Sequence, residues 1–155
     1  MTAEIRVLST GGTIASTDAA EGATPTLSGD DLVAGADLPP DPEVSVEQVS
    51  QVPGFGMDTG IVAEIGRRVR DAADVAGVVV THGTDTMAES AYYLDAEPDP
   101  DPPLVFTGAQ RHPDEVGADG PANLRTAAPA PPHPAPRTDR GVPPSSTAGV
   151  HHARA

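Results

Sequence analysis

The sequence predicts an α/β fold, a mostly parallel sheet with helices on both faces, followed by a Pro-rich, disordered C-terminal tail. Three observations lead there. Short apolar runs of strand length alternate with amphipathic stretches of helical period, the pattern of successive β-α-β units. The runs are apolar at consecutive positions, as in Gly77-Val78-Val79-Val80, so both faces of each strand are covered. From Ala127 onward the composition turns to proline and alanine, with Pro129, Pro131, Pro132, Pro134, Pro136, Pro143 and Pro144 leaving no place for a regular helix or central strand. A chain of 155 residues holds one domain with a core, placed at 1–126, with 127–155 as the tail.

The elements follow in order. Ile5 to Leu8 is an apolar strand run that feeds the glycine turn Ser9-Thr10-Gly11-Gly12-Thr13. Ser28-Gly29-Asp30-Asp31 before Leu32 reads as a helix start, with Ser28 as N-cap and acids in the positive first turn. Val44, Val46 and Val49 mark a second strand between Pro42 and Pro53. Ile61, Val62, Ile65 and Val69 recur at helical spacing, predicting a helix over 58–73. The buried strand at Gly77 to Val80 leads to a helix over 85–94, and Leu104-Val105-Phe106 is the next strand. Gly120-Pro121-Ala122-Asn123-Leu124 starts a further helix, where Pro121 loses nothing by lacking an amide proton.

Composition narrows the function. The formal net charge of -14 repels nucleic acid and anionic membrane, so neither is an expected partner. No apolar run approaches a membrane span, and the N-terminus passes straight into a strand without a signal-peptide pattern. Cysteine is absent, which removes disulfides and thiolate metal sites and fits a cytoplasmic location. All nine basic residues are arginine. The acidic surface fits either adaptation to a high-salt cytoplasm or an ordinary acidic protein.

In a parallel sheet the ligand crevice lies beyond the strand C-termini. Two polar, glycine-bearing loops stand there, Thr10 to Thr13 and Thr81 to Thr86. The first puts a threonine hydroxyl just past a strand end, on a turn whose glycines admit unusual backbone angles. It also reads as a plain glycine turn; a phosphate loop is unsupported because no Gly-Lys-Ser/Thr ending follows. The second, Thr81-His82-Gly83-Thr84-Asp85-Thr86-Met87, gathers hydroxyls, a carboxylate and an imidazole. Asp85 reads equally as the cap of the next helix, and His82 as a structural histidine, with no second histidine at metal-ligand spacing. Hydroxyl-rich loops at adjacent strand ends suit nucleophilic acyl chemistry, but spacing alone names no reaction.

Thr10-Gly11-Gly12-Thr13-Ile14-Ala15 near the N-terminus and His82-Gly83-Thr84-Asp85-Thr86-Met87 resemble the two signatures of the asparaginase/glutaminase family. The similarity continues through Ala91-Tyr92-Tyr93-Leu94-Asp95, Phe106-Thr107-Gly108-Ala109-Gln110-Arg111 and Gly117 to Leu124, so it covers residues 4 to about 124 in order. The resemblance implies hydrolysis of L-asparagine to L-aspartate and ammonia, with L-glutamine as a further substrate and no cofactor or metal. It implies Thr13 as nucleophile, with Thr84 and Asp85 as its catalytic partners and Asp85 also holding the substrate's α-amino group. It implies a substrate-binding segment at Gly54 and Phe55, a second smaller domain, and homo-oligomeric relatives whose sites are completed across a dimer.

The sequence departs from that pattern in three places. The family's catalytic lysine has no counterpart, since the chain contains no lysine. Ala23 stands where the loop after the first strand often carries a tyrosine. Gly54-Phe55 replaces a serine and a polar residue, leaving backbone amides at Gly54 to Gly56 as donors. Gly149-Val150-His151-His152-Ala153-Arg154 resembles the segment leading into that lysine, so the chain is expected to be a fragment that stops short of it. Ser145-Ser146-Thr147-Ala148 is what codons for Val-Val-Asp-Gly yield one base out of register, which suggests a frame-shifted stretch between Ala127 and Ala148; a divergent linker is the other reading. Two further functions compete: the amidase subunit of a tRNA-dependent amidotransferase, and a non-catalytic module that binds asparagine or aspartate.

Overall fold

Strand β1 (Glu4–Gly11) is the axis of the sheet, with β4 (Glu43–Val52) parallel on one side and β5 (Gly77–Thr81) parallel on the other. Valines set the register: Val7 lies opposite Val46 and Val79, and Val79 lies opposite Val105 of β6 (Leu104–Thr107), again parallel. This computed structural model describes residues 3–96, 102–128 and, as backbone, 150–153. The strand order is β4-β1-β5-β6-β7, where β7 (Val150–Ala153) runs antiparallel along the outer edge of β6. A small antiparallel pair, β2 (Ser16–Thr17) and β3 (Thr24–Pro25), closes the excursion after β1.

Alternation along the strands divides the core into two layers. Leu8, Val78, Val80 and Phe106 face α2 (Thr59–Asp71) and α3 (Met87–Asp95) through Val62, Ile65, Val69, Met87 and Leu94. Ile5, Val7, Val79 and Val105 face α1 (Gly29–Ala36) and α4 (Gly120–Ala127) through Leu32, Ala36, Leu124 and Ala127. All five residues of β5 are buried, as expected for a strand covered on both faces. The predicted α/β architecture is therefore the observed one.

The helix starts follow local chemistry. Ser28 caps α1 in a reciprocal box: its hydroxyl accepts from the Asp31 N–H at 3.2 Å, and the Asp31 carboxylate accepts from the Ser28 N–H at 2.9 Å. Asp58 caps α2 by accepting from the Ile61 N–H at 2.9 Å. Asp85 caps nothing: α3 begins two residues beyond it, and its N-cap Thr86 makes no side-chain cap bond. α4 opens with Gly120, and Pro121 sits in its first turn.

The absence of a central strand was expected at residues 127–148; α4 extends through Ala127, and beyond that stretch Val150–Ala153 pairs with β6 as an edge strand. The proline run ends at Pro144, so this segment retains the amide protons that a ladder requires. Residues 129–149, which include most of the stretch expected to form no central strand, lie outside the described residues.

Candidate active site

Three glycines bring the site loops together. Gly11 and Gly12 leave the end of β1 at φ +102 and +77, angles that L side chains rarely adopt. The Gly12 N–H donates to the Val52 carbonyl at 2.8 Å, and the chain turns into a 3-10 segment, Thr13–Ala15, with Thr13 half-buried at its start. A Cβ on Gly12 would fall 2.6 Å from Gly83 Cα, and one on Gly83 would fall 2.5 Å from Gly54 Cα. A Cβ on Gly54 would overlap the Asp85 carboxylate. Backbone lies directly on backbone at 12, 83 and 54, three segments far apart in sequence.

This column sits at the C-terminal ends of β1, β4 and β5. Thr10 ties the first two loops by donating its hydroxyl to the Thr81 carbonyl at 2.7 Å. Thr86 ties the second to the third by donating to the Gly54 carbonyl at 2.9 Å. Thr13 and Thr84 therefore follow adjacent parallel strands at one edge of the sheet, on loops whose backbones touch. Thr84 is half-buried, and a Cβ on Gly108, beyond β6, would lie 3.1 Å from its methyl group. Asp85 is exposed and, among the described residues, forms no ion pair.

Gly54 and Phe55, the expected substrate-binding pair, lie on the 3-10 turn Gly54–Gly56. The expectation that amides from Gly54 to Gly56 face a ligand needs correction at its far end. The Gly56 N–H donates to the Pro53 carbonyl at 2.8 Å, and the Met57 N–H to Gly54 at 3.1 Å. The Gly56 amide is thus spent within the turn, while the Gly54 and Phe55 N–H groups form no hydrogen bond among the described residues. Phe55 projects into solvent, 83% exposed.

His82 is a structural residue. Its ring is fully buried, edge-on to Phe106, with centroids 5.7 Å apart. Nδ1 lies 2.7 Å from the Gly83 carbonyl, which only accepts, so Nδ1 carries the proton and Nε2 accepts from the Ser90 hydroxyl at 2.9 Å. Burial pushes its pKa below the ordinary 6.5, against the opposing pull of the Gly83 carbonyl and of Asp85 and Glu89. Both ring nitrogens are occupied at neutral pH.

Sequence reasoning did not single out what fixes the third wall. Asp119 accepts from the Gln110 and Arg111 N–H groups at 3.0 and 2.9 Å and from the Asn123 amide at 3.1 Å, clamping the loop after β6. Burial opposes its charge, but these donors outweigh it and hold the carboxyl below its ordinary pKa. In the same loop His112 sits 2.6 Å from Glu115, and the Asp114 carboxylate accepts from the Asp18 N–H at 2.7 Å, fastening the excursion after β1. An Asp three or four residues before a helical Asn is too common a pattern to mark such a clamp. Among the described residues no cluster of three metal-ligating side chains exists, and no helix is long and apolar enough to cross a membrane.

Comparison with known proteins agrees with the motifs. Residues 4–148 match the family model described as Asparaginase, N-terminal. The chain is 36% identical over 132 residues to an L-asparaginase of Bacillus licheniformis, covering 82% of this chain and 41% of that protein. It is 36% identical over 134 residues to a glutaminase-asparaginase of Pseudomonas fluorescens, covering 81% and 37%. Among solved structures, the thermostable L-asparaginase from Thermococcus kodakarensis superposes with a TM-score of 0.70 at 33% identity, covering 80% of this chain and 39% of that one. A probable cytoplasmic L-asparaginase from Campylobacter jejuni gives 0.71 at 35% identity, covering 81% and 40%. The chain thus spans about two fifths of the length of the relatives it matches.

Proposed function

The chain belongs to the asparaginase family, and on that premise we propose that it builds an L-asparaginase-type amidohydrolase site with Thr13 as nucleophile. The observation that carries this reading is the glycine column, which holds Thr13, Thr84 and Asp85 on touching loops at the ligand-binding edge of a parallel sheet. The Thr13 hydroxyl attacks the side-chain carboxamide carbon of asparagine, ammonia leaves, and water releases aspartate from the acyl-enzyme. Thr84 and Asp85 are the partners of that threonine, and the free Asp85 carboxylate holds the substrate's α-amino group. The resemblance to a glutaminase-asparaginase extends the candidate substrates to L-glutamine.

Proton handling is the missing part within these 155 residues. They contain no lysine, and arginine stays too strongly protonated to serve as a base. His82 cannot take the role, because its ring nitrogens are committed to Gly83 and Ser90 beneath the loop. General acid-base assistance contributes about 10²–10⁴-fold. The 155-residue chain by itself is therefore proposed to hold asparagine and aspartate while releasing ammonia at near-background rate. The test is ammonia release by the purified chain beside its Thr13→Ala variant, at low and high salt, with calorimetry against aspartate. Binding without Thr13-dependent release is expected; robust Thr13-dependent turnover would show that another group replaces the lysine.

The missing lysine also favours a second reading, a dedicated asparagine- or aspartate-binding module. Extending the chain through the family segment that carries the lysine separates the two. An amidohydrolase site gains Thr13-dependent release; a binding module gains none.

A further inference from the structure

We propose that His112 is a positioning residue for the segment that carries Thr13: a second proton on its ring fastens the excursion after β1 to the loop after β6. That the fastened segment serves a reaction rests on the amidohydrolase reading above. The excursion leaves and rejoins the fold beside Thr13. The Thr26 and Leu27 N–H groups both donate to the Ala15 carbonyl, at 2.9 and 3.0 Å, and the Ser16 hydroxyl donates to the Gly12 carbonyl at 2.9 Å. A constraint on the excursion is therefore a constraint on the turn from Gly12 to Ala15.

The excursion meets the loop after β6 at Asp18. The Asp18 N–H donates to the Asp114 carboxylate at 2.7 Å, a bond that does not involve the ring. His112 stands beside it with one nitrogen committed and one not. Nε2 lies 2.6 Å from the Glu115 carboxylate, which accepts, so the neutral ring carries its proton there. Nδ1 is then a bare lone pair. It is shielded from solvent, has no hydrogen-bond partner among the described residues, and lies 3.7 Å from a carboxylate oxygen of Asp18, just beyond hydrogen-bond reach. Lone pair and carboxylate repel. A proton on Nδ1 reverses the sign and gives the buried nitrogen a partner, so the ring bridges Glu115 on its own loop and Asp18 on the excursion.

The other charged groups of that loop are engaged. Asp114 holds the Asp18 amide, Asp119 holds the Gln110 and Arg111 amides, and the Arg111 guanidinium donates to the Val116 carbonyl at 3.1 Å. Histidine is the side chain whose charge changes between about pH 5 and 8. Mild acid closes the bridge, and mild alkali leaves the excursion to the Asp114 bond. The Asp18 side chain is 73% exposed, so the bridge has the strength of a solvent-facing ion pair, about two- to fivefold in the local equilibrium.

Amide exchange of the 155-residue chain, corrected for the intrinsic rate at each pH, reads the fastening at the Asp18 N–H. Relative to Val78 to Val80, its protection is expected to be about threefold greater near pH 5.5 than near pH 8, tracking the titration of the His112 ring followed by NMR. His112→Gln keeps a donor for Glu115 but takes up no proton. Asp18→Asn keeps the amide bond to Asp114 but removes the carboxylate. Each should make that relative protection independent of pH. Calorimetry with aspartate reads the effect on the site: its affinity for the parent chain, divided by that for His112→Gln, should rise about two- to threefold from pH 8 to 5.5. Flat protection in the parent chain, a pH dependence that survives either substitution, or an affinity ratio indifferent to pH would overturn the proposal. If aspartate binds at neither pH, the amidohydrolase reading falls and the positioning role with it, while exchange still decides whether the bridge forms.

Discussion

At the scale of single residues, Gly12 and His82 are the most constrained. Gly12→Ala combines a positive φ with overlap onto the Gly83 backbone, whereas Gly22→Ala meets nothing within 4 Å at φ +108. Strain alone costs about 1–3 kcal/mol, so urea unfolding should show that loss for Gly22→Ala and a distinctly larger one for Gly12→Ala. Similar values for both would mean that the column yields easily. His82 sets a pH dependence. Its folded pKa is depressed, so below 6.5 the unfolded chain takes up a proton that the buried ring refuses. Its contribution is complete above that pH and is lost as pH falls from 6.5 toward the folded value. One proton corresponds to at most about 1.4 kcal/mol per pH unit, and His82→Gln should flatten the slope across that window in urea titrations.

At the scale of elements, Asp119 makes the loop after β6 a testable unit. Hydrogen bonds to a charged group are worth about 1.5–3 kcal/mol. Asp119→Ala should therefore speed amide exchange at Gln110 and Arg111 by at least about tenfold, with Val78 to Val80 unaffected. Unchanged exchange would remove the clamp. Elements were also what the sequence showed best. Consecutive valines at 78–80 and the helical spacing of Ile61, Ile65 and Val69 reflect local geometry, so strand and helix were legible there. The same holds for Ser28, whose capping partner lies three residues away. The Gly54–Gly83 contact was not legible, because nothing local records which distant backbone a glycine must admit. Strand β7 was missed because a proline-dominated composition masked a short segment whose partner lies on β6.

At the scale of the whole molecule, charge is the governing quantity. A net charge of -14 on 155 residues repels itself, and the repulsion weakens as the screening length falls from about 30 Å at 0.01 M to about 3 Å at 1 M salt. Thermal unfolding should move upward over that range; a flat or falling midpoint would show that local ion pairs such as Arg67 with Glu64 matter more than the overall field. The glycine column has a consequence for the order in which this molecule acquires its parts. The bond from Thr10 to Thr81 closes a separation of 71 residues, and parallel neighbours can meet only after the intervening crossovers are in place. Contacts of such long range reward the chain late in folding. Until β1 and β5 pair, the loops that carry Thr13 and Thr84 are not held against each other, so a ligand that needs both favours the folded chain. By mass action, saturating asparagine or aspartate should raise the unfolding midpoint of the whole domain and not of one loop.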